Sequence, residues 1–125
     1  MSESNIITLT TDFGTSDPYV GIMKGVILSI SPEAKIIDIT HSIPPQDIIS
    51  AGFTIKSSFP FFPEKTIHLA VVDPGVGSKR SPIVIETEKY FFIGPDNGLF
   101  SSILSSKKIE NIIEITNKNY FLKNH

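Results

Sequence analysis

The chain contains no cysteine, which removes disulfides and thiolate metal sites from consideration. No apolar run approaches the ~20 residues that a membrane helix needs. Basic residues are not in excess: 11 Lys and Arg stand against 13 Asp and Glu, for a net charge of -2. Nothing therefore points to a nucleic-acid surface. The opening Met1-Ser2-Glu3-Ser4-Asn5 is polar and acidic, without the positive region and apolar core of a signal peptide. There is no P-loop lysine, and no His, Asp or Glu spacing matches a helix-borne metal site. Gly75-Val76-Gly77 is too short for a dinucleotide fingerprint. Internal repeats and low-complexity tracts are also missing. What remains is 125 residues, 40% hydrophobic, a composition that suits one globular domain. A soluble cytoplasmic protein is the expectation.

The most informative stretch is Val71-Val72-Asp73-Pro74-Gly75-Val76-Gly77-Ser78-Lys79-Arg80. An apolar run from Ile67 to Val72 stops on an acid and enters a glycine-rich turn that leads to an arginine. That order puts a carboxylate at the carboxyl end of a buried strand, where open α/β sheets hold their ligands. The same strand-acid-glycine order occurs at Asp12-Phe13-Gly14, after the β-branched run Ile6-Ile7-Thr8-Leu9-Thr10-Thr11.

Between these points the pattern alternates. A helix is predicted over 19–31, with Asp17 as its cap and Pro18 at its first position. Val20, Met23, Val26, Ile27 and Ile30 recur at helical spacing and are expected to face the core. Lys35-Ile36-Ile37-Asp38-Ile39-Thr40 is a second strand, and Asp47 can cap a second helix over 48–57. Further strands are predicted over 82–87, 89–93 and 112–115, with a short helix over 99–105. The order implies an α/β fold with a mostly parallel central sheet flanked by helices.

Asp12, Asp73 and Asp96 each precede a glycine by two residues. They can be carboxylates gripping the hydroxyls of a ligand, as acids grip ribose in nucleotide folds, or simple turn residues. Asp73 and Arg80 can orient a water or an anion, or form a surface ion pair of little consequence. His41 is either a general base or a hydrogen-bonded structural residue. His68, inside an apolar strand, reads as packed. Phe59, Phe61 and Phe62 can form a stacking wall or pack under the sheet. The residues alone leave these alternatives open.

Taken together, Thr10-Thr11-Asp12-Phe13-Gly14, Pro18-Tyr19-Val20-Gly21, Asp38-Ile39-Thr40-His41, Val72-Asp73-Pro74-Gly75-Val76-Gly77 and Pro95-Asp96-Asn97-Gly98-Leu99 resemble the S-adenosyl-L-methionine hydroxide adenosyltransferases. That family is related to the adenosyl fluorinases and chlorinases. The resemblance implies a Rossmann-like three-layer amino-terminal domain. It also implies hydrolysis of S-adenosyl-L-methionine to adenosine and L-methionine, with no cofactor, no metal and a homotrimeric assembly. Asp12 then matches the acid that holds the ribose hydroxyls, and Asp17, Pro18 and Tyr19 a pocket-lining segment. Asp73 and Arg80 match two members of an Asp-Arg-His set that positions the attacking water. Asn97 matches a pocket-edge asparagine. Fluorinases carry tyrosine at the position of Asp73, which favours hydroxide over halide.

The family's histidine lies in a Thr-Phe-His-Gly-Arg-Asp segment that this chain does not contain, and His125 does not match it. The family's C-terminal β-barrel domain is likewise unmatched. The expectation is an amino-terminal domain spanning 1–125 with weak turnover by itself and exposed apolar surface. A catalytically inactive nucleoside-binding or assembly module is the alternative.

Overall fold

The computed structural model describes residues 5–14, 16, 18–72, 82–101, 103 and 109–114. β-branched residues dominate Ile6–Thr11 (β1) and Lys35–Thr40 (β2), and such side chains fit a pleated surface. Between them, Tyr19–Ile30 (α1) forms a helix although five of its twelve residues are β-branched and two are glycine. Ile48–Ser58 (α2) follows, and its first turn is capped by Asp47, whose carboxylate accepts from the Ser50 amide at 3.0 Å. Pro60 then tightens the chain into a single 3-10 turn, Phe59–Phe61. The remaining strands are Ile67–Val71 (β3), Pro82–Thr87 (β4), Phe91–Pro95 (β5) and Ile109–Glu114 (β6).

Among the described residues these strands make one sheet in the order β2-β1-β3-β5-β4-β6. β1 pairs in parallel with β2 and β3, and β3 with β5, whereas β4 is antiparallel to both β5 and β6. The sheet is therefore mixed: the pairing is parallel only through β2-β1-β3-β5, and the mostly parallel, Rossmann-like expectation is not confirmed. The cause is the three-residue gap, Glu88 to Tyr90, between β4 and β5. The Thr87 amide donates to the Tyr90 carbonyl at 2.9 Å, and the Tyr90 amide to Thr87 Oγ1 at 3.0 Å. A link that short joins only antiparallel neighbours.

Register assigns the faces. Thr8 opposes His68, His68 opposes Phe92, and Phe92 opposes Ile85. These side chains share the face covered by Ala51 and Ile55 of α2, with Phe59, Leu99, Phe100 and Ile103, and the core lies there. Gly52 brings α2 against the chain at Leu99, where an added Cβ would lie 2.6 Å from the Leu99 carbonyl oxygen. Phe59 is buried and Phe61 is 86% exposed. Packing thus describes Phe59, and no aromatic wall of three rings forms.

Asp38 opposes Leu9, so it points to the other face, and Lys24 of α1 reaches it at 2.8 Å. The helix α1 therefore lies over the β2 edge. Its expected core stripe is only half-buried at Val20, Met23 and Ile27, and Val26 and Ile30 are exposed. A helix over an edge strand has sheet beneath only part of its apolar arc. Tyr19, Ile22 and Leu28 of α1 are exposed as well, as are Ile112 and Ile113 of β6. No helix among the described residues is long and apolar enough to cross a membrane.

His68 is packed, as its apolar context suggested. Its ring stacks on Phe92 with centroids 5.4 Å apart and meets Phe59, Phe62 and Tyr90 edge-on. Nδ1 lies 2.8 Å from Thr8 Oγ1, and the buried Nε2 has no partner among the described residues. Burial pushes its pKa down from 6.5 to about 4, because an imidazolium there would be desolvated.

Two outcomes follow from this packing. The folded state resists protonation at His68 while the unfolded chain accepts it, so stability falls as pH drops from 6.5 towards about 4. The loss amounts to roughly 3 kcal/mol at most. Urea unfolding at neutral and acidic pH should show a shallower acid loss in a Thr8→Val/His68→Phe variant; equal slopes would refute the assignment. Gly52→Ala should destabilise by about 1–3 kcal/mol through overpacking, outweighing a helix-propensity gain of about 1 kcal/mol. The same urea titration measures it.

Candidate functional site

β1, β3 and β5 are parallel neighbours, and Thr11 at the end of β1 is level with Val71 at the end of β3. Chain connections diverge from this edge: β1 leads outward to β2, whereas β3 lies on the opposite side of β1. Such a reversal opens a crevice at the carboxyl ends of the strands. Asp12 is the first residue beyond β1 at that crevice.

Backbone and side-chain bonds from the loop after β2 hold Asp12 in place. The Gly14 amide donates to the His41 carbonyl at 2.8 Å, and the Ile43 amide to the Thr11 carbonyl at 3.3 Å. Gly14 has φ 74°, a left-handed conformation that glycine takes without a Cβ penalty. The Gln46 amide donates to Asp12 Oδ2 at 2.8 Å. Gln46 is the third residue of a turn closed by the Asp47 amide on the Pro44 carbonyl at 3.0 Å. Its φ of 66°, with Pro45 before it, makes this a type II turn in which glycine would be usual. Asp12 Oδ1 has no hydrogen-bond partner among the described residues. Among the described residues only Oδ2 is engaged, which orients the carboxylate and suits it to accept from a hydroxyl.

Behind Asp12, Thr11 Oγ1 accepts from the Phe13 amide at 3.2 Å and lies 2.8 Å from His41 Nδ1. His41 Nε2 lies 2.8 Å from Asp38 Oδ1, and Lys24 donates to Asp38 Oδ2 at 2.8 Å. The Lys24 hydrogen bond, with His41 adding to it, holds the Asp38 carboxyl below the usual carboxylate range against an opposing effect of burial. His41 is 7% exposed and bonded on both nitrogens. Of its two sequence readings, the structural one fits.

Pro18 is exposed and occupies the cap of α1 rather than its first helical position, making no side-chain cap. Tyr19 stands at the start of the helix with its ring 6.0 Å from Phe13, which puts Pro18 and Tyr19 on the Asp12 side of the sheet. Asn97 bridges two strand ends: Nδ2 donates to the Val72 carbonyl at 2.9 Å, and Oδ1 accepts from the Leu99 amide at 3.0 Å. Asp96 is exposed beside it. Asp17, Asp73 and Arg80 lie outside the described residues. A separate groove of about 320 Å³ runs along α2 past Phe53 and Leu99, and none of the residues named for the site lines it. Among the described residues, no group of three His, Cys, Asp or Glu side chains could hold a metal.

Sequence reasoning missed Gln46. The available signal was Pro44-Pro45-Gln46-Asp47, a turn in which proline at the second position places a positive φ on the third residue.

The described residues define an α/β domain with an acid at the carboxyl edge of its parallel strands, beside a strand-order reversal. Residues 7–125 match the SAM hydroxide adenosyltransferase N-terminal domain, and the chain belongs to that family. It is 49% identical over 121 residues to an (R)-S-adenosyl-L-methionine hydrolase of Methanocaldococcus jannaschii, covering 93% of this chain and 46% of that protein. A fluorinase of an Actinoplanes species is 26% identical over 135 residues, covering 90% of this chain and 45% of the fluorinase. The crystal structure of an uncharacterized conserved protein from Thermotoga maritima superposes with a TM-score of 0.87 at 38% identity, covering 95% of this chain and 46% of that one. The chain spans about half the length of the curated relatives it matches.

Replacing Asn97 with Ala should cost about 1–2 kcal/mol, because the Val72 carbonyl and the Leu99 amide both lose their partner. Chemical denaturation reads this directly, and an unchanged midpoint would show that the bridge is dispensable.

Proposed function

We propose that this chain supplies the nucleoside-holding part of an S-adenosyl-L-methionine hydrolase. The observation that carries the reading is Asp12, aligned by the Gln46 amide at 2.8 Å through Oδ2, the one of its oxygens engaged among the described residues, in a chain 49% identical to a protein named for that activity. In the reaction a water oxygen forms a bond to C5′ while the C5′–S bond breaks. The electron pair goes to sulfur, a proton leaves the water, and adenosine and L-methionine result. A sulfonium departs readily as a neutral thioether. The work left to the protein is alignment of the water behind C5′ and its desolvation.

In this scheme Asp12 accepts from the ribose hydroxyls, and Asp17, Pro18 and Tyr19 line the pocket beside it. Asp73 and Arg80 position the water. Asn97 stands at the pocket edge, held by one backbone bond at each end of its amide, with a second N–H left to meet substrate. The balance of relatives supports water over halide, since the hydrolase match is the stronger in identity. Trimeric assembly, a cytoplasmic location and a second domain that completes the site are parts of the same proposal.

Calorimetry with adenosine and with S-adenosyl-L-methionine, alongside chromatographic detection of adenosine, tests the reading. Asp12→Ala should weaken nucleoside binding roughly tenfold or more, the scale of a lost hydrogen bond to a charged group. Absence of binding by the unaltered protein, or equal affinity in the variant, would reject it.

A further inference from the structure

A histidine with both nitrogens engaged is buried directly behind Asp12. We infer that His41 is a positioning residue for the Asp12-Phe13-Gly14 turn, acting through Thr11, with Asp38 and Lys24 fixing the imidazole. This rests on the reading of Asp12 as the sugar-holding acid and adds to it the element that sets the geometry of that acid.

Donor and acceptor inventory determines the state of the ring. Asp38 is engaged by Lys24 through Oδ2 and faces His41 Nε2 with Oδ1 at 2.8 Å. A carboxylate only accepts, so Nε2 carries the proton. In the neutral ring Nδ1 is then the acceptor, and the Thr11 hydroxyl donates to it at 2.8 Å. With its proton so directed, Thr11 Oγ1 presents a lone pair to the Phe13 amide at 3.2 Å. His41 itself supplies its main-chain carbonyl to the Gly14 amide at 2.8 Å. His41 thereby governs, through one side-chain nitrogen and one carbonyl, the two amides that follow Asp12. Thr11 is fully buried, so the Thr11–His41–Asp38 series resembles a nucleophile triad in connectivity only. Its output is geometry.

The histidine is matched to this task because its two nitrogens do different things. An asparagine at position 41 can place an amide oxygen near the Nδ1 position and accept from Thr11. A glutamine reaches towards Asp38 instead. A leucine does neither.

Amide hydrogen exchange and adenosine calorimetry on the full chain separate the possibilities. In His41→Leu, exchange at Phe13 and Gly14 should rise roughly tenfold or more while amides of Leu69 and Phe92 keep their protection. His41→Asn should restore most of it and His41→Gln should not. Thr11→Val, which removes the same bond from the other side, should reproduce the Phe13 effect should His41→Leu fail to fold. Nitrogen NMR of the unaltered protein should show His41 protonated at Nε2. Unchanged exchange at Phe13 and Gly14 in both His41→Leu and Thr11→Val, or a proton on Nδ1, would overturn the inference. Faster exchange with unaltered adenosine affinity would leave the positioning role standing and remove Asp12 from the nucleoside site.

Discussion

The parallel pairing of β1 with β2 on one side and β3 on the other is the constraint from which the rest of this molecule follows. It brings Thr11 level with Val71 and sets Thr10 beside Thr40. Three chain segments therefore leave the sheet at one edge. Parallel ladders leave the backbone groups at strand ends without partners, and buried groups of that kind must find one. Here the loop after β2 provides it. Its carbonyl at His41 and its amides at Ile43 and Gln46 serve the residues that follow β1. Formation of the acidic edge and satisfaction of the strand end are one structural event.

The two described histidines show how strongly environment decides chemistry. Both are buried and both place Nδ1 2.8 Å from a threonine hydroxyl of β1. His41 has a carboxylate on Nε2, whereas His68 has aromatic rings around an Nε2 that finds no partner among the described residues. The first sits in a polar relay that ends at solvent through Lys24. The second is held neutral by desolvation alone. Alternation of the sheet assigns them, because Thr8 and Thr11 point to opposite faces of β1.

Much of this architecture was legible in the residues. The β-branched runs predicted five of the six strands to within a residue or two, and Asp47 was recognised as a helix cap. Asp12 at a strand end required only the acid-glycine order. Strand direction was harder to read. Glu88-Lys89 marks a turn, but the antiparallel consequence depends on a gap too short for a crossover, and that places β4 outside β5. The α1 stripe misled because helical spacing reports an apolar arc without saying how much sheet lies beneath it; an edge strand covers little. Gln46 was invisible to residue-type reasoning, since its contribution is a backbone amide in a conformation that glutamine seldom adopts.

That conformation bears on how the site holds a fixed shape without rigid packing. Gln46 is flanked by Pro45, which fixes its own φ, and by Asp47, whose carboxylate is engaged by Ser50 in the first turn of α2. A non-glycine residue at positive φ persists only where its surroundings over-determine it. Here the helix cap restrains one side and the Asp12 carboxylate the other. A displacement of α2 would be transmitted to Asp12 through a single amide. In the proposed reaction, whose leaving group departs without acid assistance, alignment is the main resource available to the protein. An acid fixed by a turn, which is in turn fixed by a helix cap, converts the stability of the α2 core into accuracy at the crevice. The cost is local strain at Gln46. The buried aromatic cluster, remote from the crevice, supplies the stability against which that strain is held.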